Sequence, residues 1–461
     1  MVNPRVWRED KLIDQLIQHV SEMLRLAPAI VLARSGMVLI IIVDTVMLGR
    51  FNAYELGYMA IGLSLVQPLV VTSLGLIMGT LVLSAHSFGA GDYFECGRVW
   101  RRSLVYSFWL GVTAVGICFF GEIILITAGQ TTELATKGGK IVFLLGLGVP
   151  GHLLFLSCSF FLEGIRRPIP GLVFMIIANI INGCLNGLLI SGELSRFPNG
   201  AEGAAIASTA ARWFLALGMV AYVLVMRDGH KFAVLKRARG GWRAWQNQRR
   251  LGYATGVSLF TESGAFSAVQ QFAGWLGPLP LAAFAASFNL LVLSFMVAIG
   301  LGAATAVRVG NAHGRKDPTD MVIAGWTGLI LTVLMTTIMG ITMILMDEFL
   351  IRLFTTDYRV EALAVPLVFW VALVLVSDGG QAVMANALRG RQDVWIPCIL
   401  QTVAFFGVMI PVTWYLMFPM GQGAAGMFQG VGIATVFSMG LLSYRFHELC
   451  RKDQKPSRIK L

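Results

Sequence analysis

Apolar residues run along this chain in stretches of about twenty or more, broken by short segments rich in charge, Gly, Pro and Asn. Between those breaks the pattern predicts membrane-spanning helices over residues 27–48, 58–83, 104–128, 141–162, 171–191, 204–226, 251–273, 282–306, 320–346, 361–387, 395–418 and 425–444. Twelve spans, an even number, put both chain ends on one side of the membrane. Ahead of them, "MVNPRVWREDKLIDQLIQHVSEMLRL" places Leu12, Leu16 and Val20 at helical spacing, which predicts a short amphipathic helix lying at the membrane surface. It mixes both charge signs and has no short apolar core followed by a small-residue cleavage site, so it does not read as a signal peptide. Pro28 falls in the first turn of the first predicted span, where a missing N–H is harmless.

Composition agrees with the pattern. Of 461 residues, 56% are hydrophobic and 13% charged, and mean hydropathy is +0.72, far from the roughly one-quarter charged usage of soluble domains. A soluble enzyme has no core large enough to hide that surface. Lys and Arg number 28 in the segments assigned to the inner side and 6 in those assigned to the outer side. That bias follows the positive-inside rule and accounts for the net charge of +11 without nucleic acid as a partner. The basic run "KRARGGWRAWQNQRR" therefore reads as a linker between halves, with attraction to anionic headgroups of membrane lipids as a side effect. Six cysteines lie scattered without paired spacing, which suggests neither a disulfide framework nor a zinc site. The Gly-rich turns "FGAGD" and "GNAHGR" lack the Gly-Lys-Ser/Thr of a phosphate loop, so the energy for any transport must come from an ion gradient.

The two halves resemble one another. A shift of 225 residues without gaps lays "GRFNAYELGYMAIGLSL…GLIMGT…FGAGD" on "GWLGPLPLAAFAASFNL…GLGAAT…HGRKD", matching Gly75 with Gly300, Thr80 with Thr305, Gly89 with Gly314 and Asp92 with Asp317. At a shift of 226, Leu162 and Gly164 fall on Leu388 and Gly390. The shift spans six predicted helices, so both halves enter the membrane in the same direction. Parallel repeats imply two six-helix bundles about an axis along the membrane normal, with a shared cavity suited to alternating access. The expected divisions are an interfacial segment 1–26, an N-terminal lobe 27–226, a linker 227–250, a C-terminal lobe 251–444 and a basic tail 445–461.

Two carboxylates stand inside these spans. Asp378 lies in "VSDGGQAVMANALRG", with no other charge between Glu361 and Arg389, and Glu262 lies in "SLFTESGAFSAVQQF". An ionised group there is expensive to bury and suggests a functional site, with a helix-packing hydrogen bond as the bland alternative. Two carboxylates sharing a low-dielectric cavity repel, so the pair calls for a proton or a cation. Gln381, three residues after Asp378, shares its helical face and can offer an oxygen to an ion or substrate.

"VDTVMLGR" (43–50), "SFGAGD" (87–92), "VRVGNAHG" (307–314) and "SDGGQAVMANALRGRQD" (377–393), in this order and duplicated, resemble motifs of the multidrug and toxic compound extrusion (MATE) family, most like its NorM branch, over about residues 26–445. The resemblance implies an all-α polytopic membrane protein with twelve transmembrane helices in two pseudo-symmetric parallel six-helix bundles. It implies a secondary antiporter, not an enzyme, that works as a monomer without a cofactor in a bacterial inner membrane. Organic cations and amphiphilic drugs are its cargo, and inward Na+ or H+ drives it. Glu262 and Asp378 match the acids that serve the coupling cation in that pattern, with Na+ as the ion they favour. Val374 stands where a tyrosine often precedes the second acid, which weakens sodium ligation there.

Asp44 belongs to the motif of the first span, either as a proton or cation site of the N-terminal lobe or as a cap near the outer edge. Asn182 and Asn186, with Asn179 nearby, resemble asparagines lining that lobe, where they hydrogen-bond to Asp44 but cannot carry a proton, or else only pack helices. Arg34, the oddest residue of the first span, either pairs with an acid or reaches the inner headgroups. A lipid-linked oligosaccharide flippase of related architecture is the competing reading; it predicts a cavity rich in Lys and Arg, whereas the candidate internal groups here are mostly acids and amides. A passive channel leaves the paired acids and the duplication unexplained.

Overall fold

A computed structural model describes residues 4–192, 198–236, 242–355 and 357–454, with side chains from His19 onward except at 53, 242, 278 and 454. The described residues are helical nearly throughout. The first half holds α1 (Pro4–Phe51), α2 (Ala53–Ile77), α3 (Gly79–Gly89), α4 (Tyr93–Phe119), α5 (Gly121–Thr127), α6 (Thr132–Gly146), α7 (Val149–Gly164), α8 (Ile169–Ile190) and α9 (Gly200–Val225). The second holds α10 (Gln246–Trp275), α11 (Pro278–Gly314), α12 (Pro318–Leu345), α13 (Asp347–Arg352), α14 (Tyr358–Gly390), α15 (Trp395–Thr402), α16 (Ile410–Met417) and α17 (Gly423–Gln454). Among the described residues, eleven helical stretches are long and apolar enough to cross a membrane. The remaining predicted span coincides with α10, whose Glu262 and interspersed Ser, Thr, Gly and Gln lower its hydropathy.

The helices overrun the predicted spans, because backbone hydrogen bonding continues past the apolar stretch. The largest difference is at the start. α1 is one helix of 48 residues in place of a surface helix followed by a span, and Pro28 lies inside it, where it removes an intrahelical hydrogen bond. Leu12 and Leu16 of the expected amphipathic stripe lie outside the described side chains.

The chain forms two compact units, Leu32–Gly256 and Met1–Val31 with Val257–Leu461. In the first, a buried row of hydroxyls joins α3, α4 and α7: Thr80 to Ser103 at 2.6 Å, Ser103 to Ser157 at 2.9 Å and Ser107 to Ser157 at 2.6 Å. Such short polar side chains let helices approach closely while satisfying one another in an apolar medium. In the second unit, α14 packs among α11, α12 and α17, and Ser377 and Thr435 bond across α14 and α17 at 2.7 Å. The early part of α1 is tied here as well. The His19 ring meets Arg308 at Nδ1 (2.8 Å) and Asp320 at Nε2 (2.6 Å).

The sequence repeat reappears in the backbone. α3 and α11 end alike: the N–H of Asp92 reaches the carbonyl of Ser87 (2.9 Å) and that of Asp317 reaches Ala312 (3.1 Å), after left-handed residues Gly91 (φ 77°) and Lys316 (φ 58°). Asp92 and Asp317 then cap the following helices by accepting from the amides of Glu95 and Asp320. α7 and α14 share a second such ending, with Arg166 (φ 62°) and Gln392 (φ 66°) left-handed and 6→1 bonds from Arg167 to Leu162 and from Asp393 to Leu388. The matched Gly-Asp and Leu-x-Gly motifs are helix-stop signals used twice.

Candidate functional site

Each unit encloses one constellation of the residues singled out from sequence. In the unit Leu32–Gly256, Asp44 is 1% exposed on α1. Its Oδ1 accepts from Asn182 (3.1 Å) and Asn186 (2.6 Å) of α8, and its Oδ2 from the Ser208 hydroxyl of α9. Asn182 and Asn186, one turn apart, are themselves linked at 3.3 Å. Asp44 is thus enclosed by these partners. It sits in a cradle of neutral donors, because α1 continues as helix to Phe51 and carries it inside the bundle. Asn179 does not join this group; its Nδ2 donates to the Gly36 carbonyl (3.1 Å) and packs α8 against α1.

Two members of this unit were not legible in sequence. Ser208 lies in "AIASTAARWF", an ordinary small-residue stretch. Arg212, one turn further on, is 8% exposed, donates to the Leu145 carbonyl (3.2 Å) and lies close enough for its charge to act on Asp44. Arg34 takes the first of its two expected roles, a buried ion pair with an acid, Glu163 of α7, Nη2 to Oε1 at 3.0 Å, while Ser159 donates to the same oxygen at 2.7 Å and the guanidinium lies 5.0 Å from the Phe160 ring centre.

The second constellation brings together Glu262, Asp378 and Gln381. Asp378 is 3% exposed in the middle of the 33-residue α14, and Glu262, half-buried on α10, lies close enough for the two carboxylates to repel. Gln381 approaches Asp378 at 3.4 Å, but with its amide nitrogen towards the acid. Its oxygen faces away, accepting from Gln401 (2.9 Å) and Ser438 (3.3 Å). Arg389, buried near the end of α14, is the basic group whose charge reaches Glu262; the apolar run around Glu262 gave no hint of it. Val374, one turn before Asp378, is fully packed in the apolar core and supplies no side-chain oxygen.

A turn beyond Glu262 begins an aromatic cluster. Phe266 stands 5.4 Å from Phe288, which stacks on Phe284 (5.5 Å), which in turn stacks on Phe428 (5.4 Å). Buried negative charge beside stacked rings suits a flat or quaternary organic cation. Among the described residues no three His, Cys, Asp or Glu side chains gather as a metal cluster, so a bound cation would rely on the two carboxylates with amide, hydroxyl or backbone oxygens.

The MatE family model matches the chain twice, over residues 29–188 and 254–415. The chain belongs to the MatE family. The two matches begin at the offset that superposes the halves of the sequence, so each unit carries one copy of the family pattern. The chain is 34% identical over 435 residues to the probable multidrug resistance protein NorM of Caulobacter vibrioides, covering 94% of this chain and 92% of that protein. It is 30% identical over 432 residues to the NorM of Mesorhizobium japonicum, covering 92% and 91%. Among solved structures, it resembles the eukaryotic MATE transporter AtDTX14 (TM-score 0.85, 19% identity, 95% and 99% coverage). It also resembles an outward-facing multidrug resistance MATE family transporter (TM-score 0.87, 17% identity, 94% and 96% coverage). The protein has the MATE fold and belongs to a family of transporters, not enzymes.

Proposed function

We propose that this protein exports bulky organic cations and amphiphilic toxic compounds by alternating access, driven by inward Na+, from a bacterial inner membrane with both termini cytoplasmic. The observation that carries the reading is that Glu262 and Asp378 lie in one unit within electrostatic range of one another, with the aromatic cluster that begins at Phe266 one turn from Glu262. Two like charges held together out of water are stabilised by a cation between them. Sodium and an organic cation can each fill that role, and competition for it links their movements in opposite directions. The NorM names of the bacterial relatives support drug cargo, and the Lys/Arg bias of 28 to 6 supports the orientation. The proton is the second reading for the coupling ion, favoured by the apolar Val374 beside Asp378 and by the amide cradle of Asp44.

The test is dye accumulation in bacterial cells stripped of their main pumps. The parent chain lowers accumulation of an acridine dye. Glu262→Gln and Asp378→Asn, which remove charge at nearly constant volume, abolish that export at equal membrane abundance. Export by both neutral variants at the parent level overturns the site.

A further inference from the structure

Beyond the two acids, the second unit contains a chain of side-chain hydrogen bonds that ends on one of them and begins one turn from the other. Ser258 of α10 donates to Gln401 Oε1; Gln401 Nε2 donates to Gln381 Oε1 at 2.9 Å; Gln381 Nε2 points at Asp378 Oδ1 at 3.4 Å. All four residues are buried, none more than 3% exposed. Ser258 precedes Glu262 by four residues on α10, so the two share a helical face.

Gln401 is held where it can bridge. It lies at the end of α15, just before a π-helical stretch, Val403–Met409, which is followed by Pro411 near the start of α16. Proline lacks an N–H and its ring crowds the carbonyl four residues back, so the widened turn accommodates it. Phe405 of the same stretch lies 6.5 Å from Phe266 of α10, the residue one turn after Glu262. α10 therefore meets this segment on both sides of Glu262.

A primary amide has a donor end and an acceptor end, so a row of two has two self-consistent orientations. In the one seen, every donor points towards Asp378, which suits a bare carboxylate. A cation or proton on Asp378 favours the reverse, with Gln381 presenting its oxygen. Gln381 then offers Nε2 to Gln401, Gln401 must turn its oxygen to receive it, and its own Nε2 faces the Ser258 hydroxyl, which changes from donor to acceptor. We infer that Gln401 is a positioning residue that carries the occupancy of the Asp378 site to α10, and thereby to Glu262, through reversal of the Ser258–Gln401–Gln381 chain. This rests on the reading of Glu262 and Asp378 as the coupling pair.

The experiment measures acridine dye efflux from proteoliposomes over stepped Na+ and, separately, stepped external pH, for Gln401→Met, Ser258→Ala and their double variant. Gln401→Met keeps length and volume but breaks the chain. Each single variant is expected to shift the midpoint of the cation profile by about tenfold or more, while the dye KM stays at the parent value. The double variant is expected to be no worse than Gln401→Met alone, since both residues serve one chain. Ser258→Ala, the milder change, keeps the test informative where Gln401→Met folds poorly. Cation profiles that superpose on the parent, or fully additive effects, overturn the inference. Glu262→Gln and Asp378→Asn run alongside: if they also behave like the parent, the coupling pair itself is wrong, whereas their loss of transport beside parent-like Gln401 and Ser258 variants overturns only the relay.

Discussion

Arg34 shows how a buried partner holds a charge inside a membrane protein. Its guanidinium meets Glu163 at 3.0 and 3.3 Å, both residues being nearly inaccessible, with Ser159 completing the carboxylate. Removing one partner strands the other in a low-dielectric site, a change that typically costs about 3–5 kcal/mol, while removing both is far milder. Arg34→Met is therefore expected to lower the melting temperature of the detergent-purified protein sharply, and Arg34→Met with Glu163→Gln to recover most of the loss. A double variant as unstable as the single would show that the arginine matters for packing rather than charge. Asp44 contrasts with Arg34. Its near partners are neutral donors, Asn182, Asn186 and Ser208, with the charge of Arg212 acting on it as well. The intramembrane acids were legible in sequence because a lone carboxylate in an apolar run is conspicuous. Ser208, Ser258 and Gln401 were not, since a polar uncharged residue in such a run is common and only the neighbouring helix decides whether it packs or relays.

The elements obey the same local rules in both halves. The ends of α3 and α11 use one geometry, yet the left-handed position is Gly91 in one and Lys316 in the other. A residue with a Cβ pays about 1–2 kcal/mol in that conformation. Gly91→Lys is expected to destabilise the protein by about 1 kcal/mol, and Lys316→Gly to leave its stability equal or higher, as read by thermal unfolding of the purified protein. A fall in stability for Lys316→Gly would mean that the lysine makes contacts outweighing its backbone strain. Turn motifs were readable in sequence because a helix stop depends on a few adjacent residues. The continuity of α1 through Pro28 was not, because the helix around that proline is sustained by packing: Met23, Leu26 and Ala27 insert among Leu301, Ala304, Leu331 and Val383.

At the scale of the whole molecule, the question is which gradient drives export. Sodium asks for several oxygens around it, whereas a proton needs one carboxylate whose affinity changes as the cavity changes sides. In proteoliposomes with the two gradients imposed separately, an inward Na+ gradient at equal pH is expected to drive acridine dye movement. Flux driven by inward protons in sodium-free buffer, and unchanged by added sodium, would assign the coupling to H+ and leave antiport intact.

By itself the sequence determined the membrane class, the parallel duplication, the family and the identity of three acids within the predicted spans. These depend on composition, on span counting and on short motifs, all of which are local or additive along the chain. Tertiary structure alone decided which groups the internal charges meet, amides and a serine around Asp44 and Glu163 against Arg34, and which way the Gln381 amide turns beside Asp378. The partners of Asp44 and of Arg34 lie on helices far apart in sequence, and the rotation of a helix about its own axis, which sets what a given residue faces, is fixed only when its neighbours pack against it.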